Sequence, residues 1–475
     1  MTKFSKFFSL NQSQYELDFV DVDPSRDIPV YVDPYAIEIS DDSWSGECSR
    51  YIRSFFSELL LSIKENNQAR AIFLLSNLHE PQETFLGVSR GTPQGRGLGS
   101  GQALQIIAAI RNSKAYKTGI LSDLSEMALY IDGIARDKIS DLTTNVIREK
   151  LCEYTNQQCE LHAIPVAQYS GPPLWNPDRL TWRSSPVLLP FVDELPVMLV
   201  PKNIVRRKIS LDSQEFYNKQ LTEFLVAEHL SANDSLVYTL RDGTLRVNKG
   251  EVRDAHPHSK AYVAEMAKAH PQLLAMYKEL ARQHAKMAVF DDGEPSVTSI
   301  CSQLADVYAE IPTGVKHATK YQHLVLGSLT ALFYPDLILP RIEWEIHGGR
   351  KRIDIVFTNA ANDGFFSQRR DDKKMQANMV IVECKNYSSD IANNELDQLL
   401  GRFDKNRGKF GIITCRSVDN EALLLQRCRD AAVRDQGYIL CLTDNDIVAL
   451  LQAKARLDDE IPRDILFGKL SELLR

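Results

Sequence analysis

Two apolar stretches of the sequence carry charge in their middle. RIDIVF, residues 352–357, holds Asp354 between two isoleucines, and VIVECKNY, residues 380–387, holds Glu383 and Lys385. Both read as strands for the inside of a sheet, where an unpaired charge is costly and normally excluded. Side chains alternate along a strand, so Glu383 and Lys385 share one face and Cys384 takes the other. If the two strands pair, two carboxylates and an ammonium converge on one patch. Adjacent carboxylates repel unless a cation bridges them, and hard oxygen ligands of this kind suit Mg²⁺ or Mn²⁺. Such a metal, held by Asp354 and Glu383, would polarise a phosphate and activate water. Lys385 would then hold the water or stabilise charge as it develops. The plain alternative is an ion pair, with Lys385 neutralising both acids at a sheet edge.

The elements that must position these residues are legible from residue 316 onward. The order is a helix (320–333), a hairpin (337–357) turning at Gly348–Gly349, the strand 379–385, a helix (393–406) and the strand 409–415. A helix (420–435), a strand (438–443) and a helix (444–456) follow. Periodicity and turn residues thus give α-β-β-β-α-β with a further α-β-α, a mixed sheet flanked by helices.

Asp354 followed by Glu383-Cys384-Lys385, on two apolar strands within this order, resembles the bipartite motif of the PD-(D/E)xK nuclease superfamily. The resemblance covers about the last third of the chain. It implies a restriction-endonuclease-like αβββαβ domain of the α/β class, with Asp354 and Glu383 holding Mg²⁺ or Mn²⁺ and Lys385 assisting the attacking water. Gln398 is similar to the glutamine that Mrr-type members carry after the motif. Those members often have a tyrosine four positions later, where this chain has Arg402. Many members also place a glutamate on the first helix, where KYQHL offers Gln322. The implied activity is hydrolysis of phosphodiester bonds in DNA. A large N-terminal region on such a nuclease looks like the sensing module of a bacterial anti-phage defence enzyme, open to a ligand or partner protein. Relatives that cut two strands imply a homo-oligomer. RNA cleavage, or a catalytically silent fold that binds nucleic acid or recruits a partner, are the alternatives.

Basic residues surround the motif and are candidates for a phosphate backbone: Arg350, Lys351, Arg352, Arg402 and Lys405, with Arg407 and Lys409 beyond them. SQRRDDKKMQ, residues 367–376, has alternating charge blocks and reads as a mobile solvated loop between the catalytic strands. The glycine-rich stretch 87–110, with Arg90 and Arg96, could cradle an anion, but it lacks the Gly-Lys-Ser/Thr of a Walker A loop and reads as a surface loop. His256, His258 and His347 have no partner spacing that specifies zinc. They read as surface or turn residues.

At 475 residues the chain exceeds one ordinary core, so two or three domains are expected. We expect an N-terminal region over 1–211, a mainly helical connector over 212–315 and the nuclease-like domain over 316–475, with a linker at DDGEPS (291–296). In the first region helices are expected at 49–67, 101–116 and 137–159, and the proline-rich stretch 164–201 should wrap over them. In the connector, Pro271 should break or kink the helical stretch 261–288. Net charge is −7, which excludes a globally basic nucleic-acid binder but leaves room for a local basic patch. The eight cysteines form no C-x-x-C pair, so free thiols in a reducing cytoplasm are expected, without structural zinc. No apolar run approaches the roughly 20 residues that cross a bilayer, and the N-terminus lacks a secretory pattern.

Overall fold

The computed structural model describes residues 2–87, 99–283, 296–346, 348–387, 389–458 and 460–475. Residues 88–98 of the glycine-rich stretch, with Arg90 and Arg96, most of the DDGEPS linker and His347 lie outside them, and the rest of that stretch enters the helix Ser100–Asn112.

Apolar residues of this chain gather into two cores. The first draws on residues between Phe4 and Tyr277, joined by Ile338 and Leu339, and is built mainly on helices. The longest, Ser43–Lys64, starts where the Asp42 carboxylate accepts the Ser45 N–H, and it buries Cys48, Ile52, Phe55, Phe56, Leu59 and Ile63 along one stripe. The expected helix over 137–159 is two helices, Arg136–Val146 and Arg148–Leu161. Ile147, with ψ near 9°, separates them, and Arg148 opens the second helix fully buried. The proline-rich stretch forms three short antiparallel pairs, Ala167–Tyr169 with Val187–Leu189, Leu174–Asn176 with Thr181–Arg183, and Phe191–Val192 with Leu195–Pro196.

The connector is not an independent layer. Val263, Ala264, Ala267, Leu273 and Tyr277 join the first core. Pro271 begins a new helix, Pro271–Gln283, because the residue before a proline is pushed out of helical geometry; His270 sits at φ −129°, ψ 69°. A hairpin, Val237–Thr239 with Leu245–Val247, interrupts the expected helical run. Its turn carries Asp242-Gly243, a hairpin signal that is readable in the sequence.

The second core begins earlier than residue 316. Helix α1 (Val297–Glu310) buries Ile300, Cys301, Leu304 and Tyr308 in it. Then come α2 (Ala318–Phe333), β1 (Leu337–Ile346), β2 (Lys351–Asn359), α3 (Gly364–Asp371) and β3 (Met379–Lys385). Helix α4 (Asn393–Leu400), β4 (Phe410–Cys415), α5 (Glu421–Val433), β5 (Tyr438–Thr443), α6 (Asp444–Ala455) and α7 (Glu460–Leu474) complete it. The five strands form one mixed sheet in chain order, antiparallel from β1 to β3 and parallel from β3 to β5. This is an α/β arrangement with the central strand β3 carrying Glu383 and Lys385.

Two local expectations change. The stretch read as a solvated loop at 367–376 belongs in part to α3, whose Phe365 and Phe366, just before that window, supply the apolar face. The helix expected over 393–406 stops at Leu400. The chain then turns back through Gly408, where a Cβ would meet the Gln376 carbonyl oxygen at 2.2 Å. In the hairpin, Gly348 and Gly349 take φ of 67° and 82°, a region that favours glycine.

The two cores meet along β1, whose Ile338 and Leu339 pack into the first core, and through polar contacts. The buried Asp18 carboxylate accepts the Leu339 N–H at 3.1 Å and the Tyr154 hydroxyl at 2.8 Å. Lys202 donates to the Gln14 carbonyl at 2.9 Å and lies 4.3 Å from the Tyr334 ring centre.

Candidate functional site

Strand pairing stops where the charges start. The β2–β3 ladder ends at Ile355 opposite Val382, so the next position would set Asp354 against Glu383. The Cys384 N–H finds no ladder partner on β2. The Asp354 carboxylate takes its place, with Oδ2 accepting that N–H at 2.9 Å. Beyond this point β3 stays paired with β4 alone, through Lys385 opposite Cys415.

On β3, Glu383 and Lys385 share a face, as the alternation requires. Lys385 Nζ donates to Glu383 Oε1 at 2.7 Å and to Gln398 Oε1 at 3.2 Å. Helix α4 presents Gln398 because its other face, Leu396 and Leu399, is packed in the core. Glu383 is 1% exposed and Lys385 6%, so this is a desolvated cluster held by the sheet. Asp354 carries a carboxyl raised above its ordinary range by burial, opposed by the Cys384 N–H and the positive charges of Lys385 and Arg402. Burial also pushes the Cys384 thiol up, which keeps it protonated and inert.

Arg402 is not a surface contact for nucleic acid. It is 3% exposed, and its guanidinium pairs with the second oxygen of Glu383. Burial lowers its pKa, while Asp354 and Glu343 oppose that. The short α4 explains its position. Arg402 follows the helix end, with its N–H on the Leu399 carbonyl at 3.0 Å and its own carbonyl accepting Arg407 Nε at 2.9 Å. Arg407 is also largely buried and pairs with Asp404 at 2.6 Å. Of the remaining basic candidates, Arg350, Lys351, Arg352 and Lys405 are exposed. Lys351 donates to the Gly401 carbonyl at 2.8 Å, and Arg352 pairs with Glu345 at 3.2 Å.

Glu343 is the acid the motif reading missed. Ile342 pairs with Ile355 and Trp344 with Ile353, which sets Glu343 across the β1–β2 ladder from Asp354. Its backbone has φ of +48°, a left-handed conformation rare for a residue other than glycine and concentrated at functional sites. Gln322, on α2, donates to Glu343 Oε1 at 3.0 Å and to the Asp354 carbonyl at 2.8 Å, joining the two strands. Where a carboxylate is expected on the first helix, this chain has an amide that holds a carboxylate from β1. Alternation along RIEWEI was the available signal, since Glu343 and Glu345 point to the same side of an apolar strand.

The site therefore sets Asp354, Glu343 and Glu383 against Lys385 and Arg402, three acids against two bases. Among the described residues no three histidine, cysteine or acidic side chains form a ready metal cage. Magnesium is commonly held by one or two carboxylates with water and phosphate oxygens completing its shell, so Asp354 and Glu383 are the right donor types for it, although both Glu383 oxygens meet cations, Lys385 and Arg402, in this structure. None of the described helices is long and apolar enough to cross a membrane.

A family model described as a domain of unknown function (DUF8370) matches residues 9–212, which lie N-terminal to the five-stranded sheet. No curated protein and no solved structure matches the chain.

Proposed function

We propose that this chain is a metal-dependent nuclease of the PD-(D/E)xK type, acting on DNA and governed by its N-terminal region. One observation carries the reading. Lys385 bonds both Glu383 and Gln398, beside an Asp354 fixed on the Cys384 N–H, at the end of paired apolar strands whose order α-β-β-α-β-α-β adds the helix α3 to the expected one.

Asp354 and Glu383 would hold Mg²⁺ or Mn²⁺, which when bound supplies Lewis acidity toward a phosphate oxygen and lowers the pKa of bound water. The chain's own residues do the rest. Gln398 orients the Lys385 ammonium, and the ammonium faces the side where an attacking water and developing negative charge would sit. The low-dielectric wall of β3 and β4 strengthens that interaction. Arg350, Lys351, Arg352 and Lys405 offer a positive approach for a phosphate backbone. Residues 1–211 contain no Asp-x-Lys or Glu-x-Lys sequence, which fits control rather than cutting. A role in defence against foreign DNA, and assembly into a homo-oligomer, extend the same reading.

A second reading has its own support. Both oxygens of Glu383 are already occupied by cations, Lys385 and Arg402, as in a structural ion pair on a silent binding fold. Incubating purified full-length protein with supercoiled, linear and single-stranded DNA and with RNA separates the two. Cleavage that requires Mg²⁺ or Mn²⁺ and stops in EDTA is expected. Undiminished cutting in EDTA removes the metal, and no cutting of any substrate favours the silent fold.

A further inference from the structure

We propose that Tyr387 is a stacking platform for one unpaired base beside the reacting phosphate, which makes single-stranded nucleic acid the substrate class of the site. The inference rests on the nuclease reading and adds the kind of strand that the site accepts. Tyr387 follows Lys385 by two residues, and its ring centre stands 6.0 Å from Lys385 Nζ. It is 37% exposed at the mouth of an otherwise desolvated cluster.

Tyr387 faces outward because its neighbour is pinned. Strand β3 ends at Lys385, and Asn386 after it is buried. The Asn386 carboxamide donates to the Pro312 and Gly314 carbonyls at 3.1 and 2.9 Å, and its own carbonyl accepts the Gly314 N–H at 2.8 Å. The ring also has no share in holding Lys385. Glu383 and Gln398 bond the ammonium, and 6.0 Å is the outer limit of a cation–π contact. A large aromatic surface beside the reacting position is therefore left without a structural task.

The same bonds bring the segment 312–317 against the mouth of the site. Val315 is 86% exposed there, and Lys316 and Lys320 are exposed beside it. Strand β2 runs antiparallel to β3, so its basic start, Arg350, Lys351 and Arg352, lies at the same end of the sheet. A phosphate backbone crossing that end meets cations on both sides of Lys385, with the Tyr387 ring between them. In a duplex each base is covered by its neighbours. In a single strand, a flap or a frayed end a base is free to lie on the ring. Every base has a π-face, so such a platform selects strand state and tolerates sequence.

The test measures binding by the full chain, in EDTA, of a short mixed-sequence DNA strand and of its duplex. Tyr387→Ala should weaken single-strand binding by roughly 5- to 150-fold, the range for losing one stacked base. Duplex binding should not change, and Tyr387→Phe should keep the wild-type affinity. 2-Aminopurine placed at successive positions should be quenched at one of them by wild type and Tyr387→Phe, and not by Tyr387→Ala. With Mg²⁺ the alanine variant should show a raised KM for the single strand and a kcat close to wild type. Unchanged single-strand affinity in Tyr387→Ala overturns this inference and leaves the nuclease reading standing. An equal loss on strand and duplex also overturns it and makes the ring a support for Lys385. Failure of the wild type to cut any substrate overturns the nuclease reading, and the binding arm then judges the platform by itself.

Discussion

Each core buries an arginine against a glutamate, and the two pairs are built differently. In the first core Arg148 grips Glu83 with two bonds, Nη2 to Oε1 at 2.6 Å and Nη1 to Oε2 at 3.2 Å. Tyr169 adds a third to Glu83 at 2.7 Å. One acid meets one base, and the paired carboxyl lies below its ordinary range despite burial. In the second core Arg402 meets Glu383 within a set of three acids and two bases, at the point where strand pairing stops. Matched charge inside a closed network holds a fold together. At the strand end the Asp354 carboxyl is raised by burial, and the Cys384 N–H, Lys385 and Arg402 only oppose that rise.

The sharpest way to break this contrast is to cut the matched pair. Arg148→Ala strands Glu83 in the core and should cost about 3–5 kcal/mol of stability. Denaturant unfolding reads that loss, and the cleavage rate per folded molecule should not change. Lys385→Ala should do the reverse. Arg402 still neutralises Glu383, so the fold persists, but hydrolysis should fall by about 10²-fold with metal binding retained. Normal cleavage by a folded Lys385→Ala protein would make the cluster a structural ion pair.

Glu343→Gln sharpens the contrast further, because it equalises acids and bases around Asp354. A drop of roughly tenfold in metal affinity is the scale expected for a group that orients or supplements the ligands. Calorimetric titration with Mn²⁺ measures it, and unchanged affinity would remove Glu343 from the site.

The smallest effect is one of pH in the first core. Burial, with Asp137 and Glu80 nearby, pushes the Asp141 carboxyl up to about 7 from 3.8. A raised acid contributes stability below its unfolded pKa and loses it as pH rises through the folded value. Asp141→Asn removes that slope. The variant should match wild type near pH 4 and melt higher near pH 8, and parallel melting curves at both pH values would refute the assignment.

Much of the second core is legible in the sequence. Apolar runs such as VIVECK and FGIITC have little choice but a buried strand, and Gly348–Gly349 marks the hairpin between β1 and β2. Alternation alone placed Glu383 and Lys385 together and Cys384 apart. Phe365 and Phe366, which anchor α3, lie just before the charged window 367–376, and the Asp242-Gly243 turn signal stands between two helical runs.

What the sequence determined, then, is the set of short-range facts: strand faces, turn positions and the Asp354, Glu383 and Lys385 triad, each fixed by periods of a few residues. What only the tertiary structure decided is which distant residues meet. Arg402 is buried on Glu383 because α4 ends at Leu400, Glu343 faces Asp354 because of the β1–β2 register, and His229 reaches His256 across a folded hairpin. Those encounters depend on where packed elements stop and how they register, and no local periodicity encodes either.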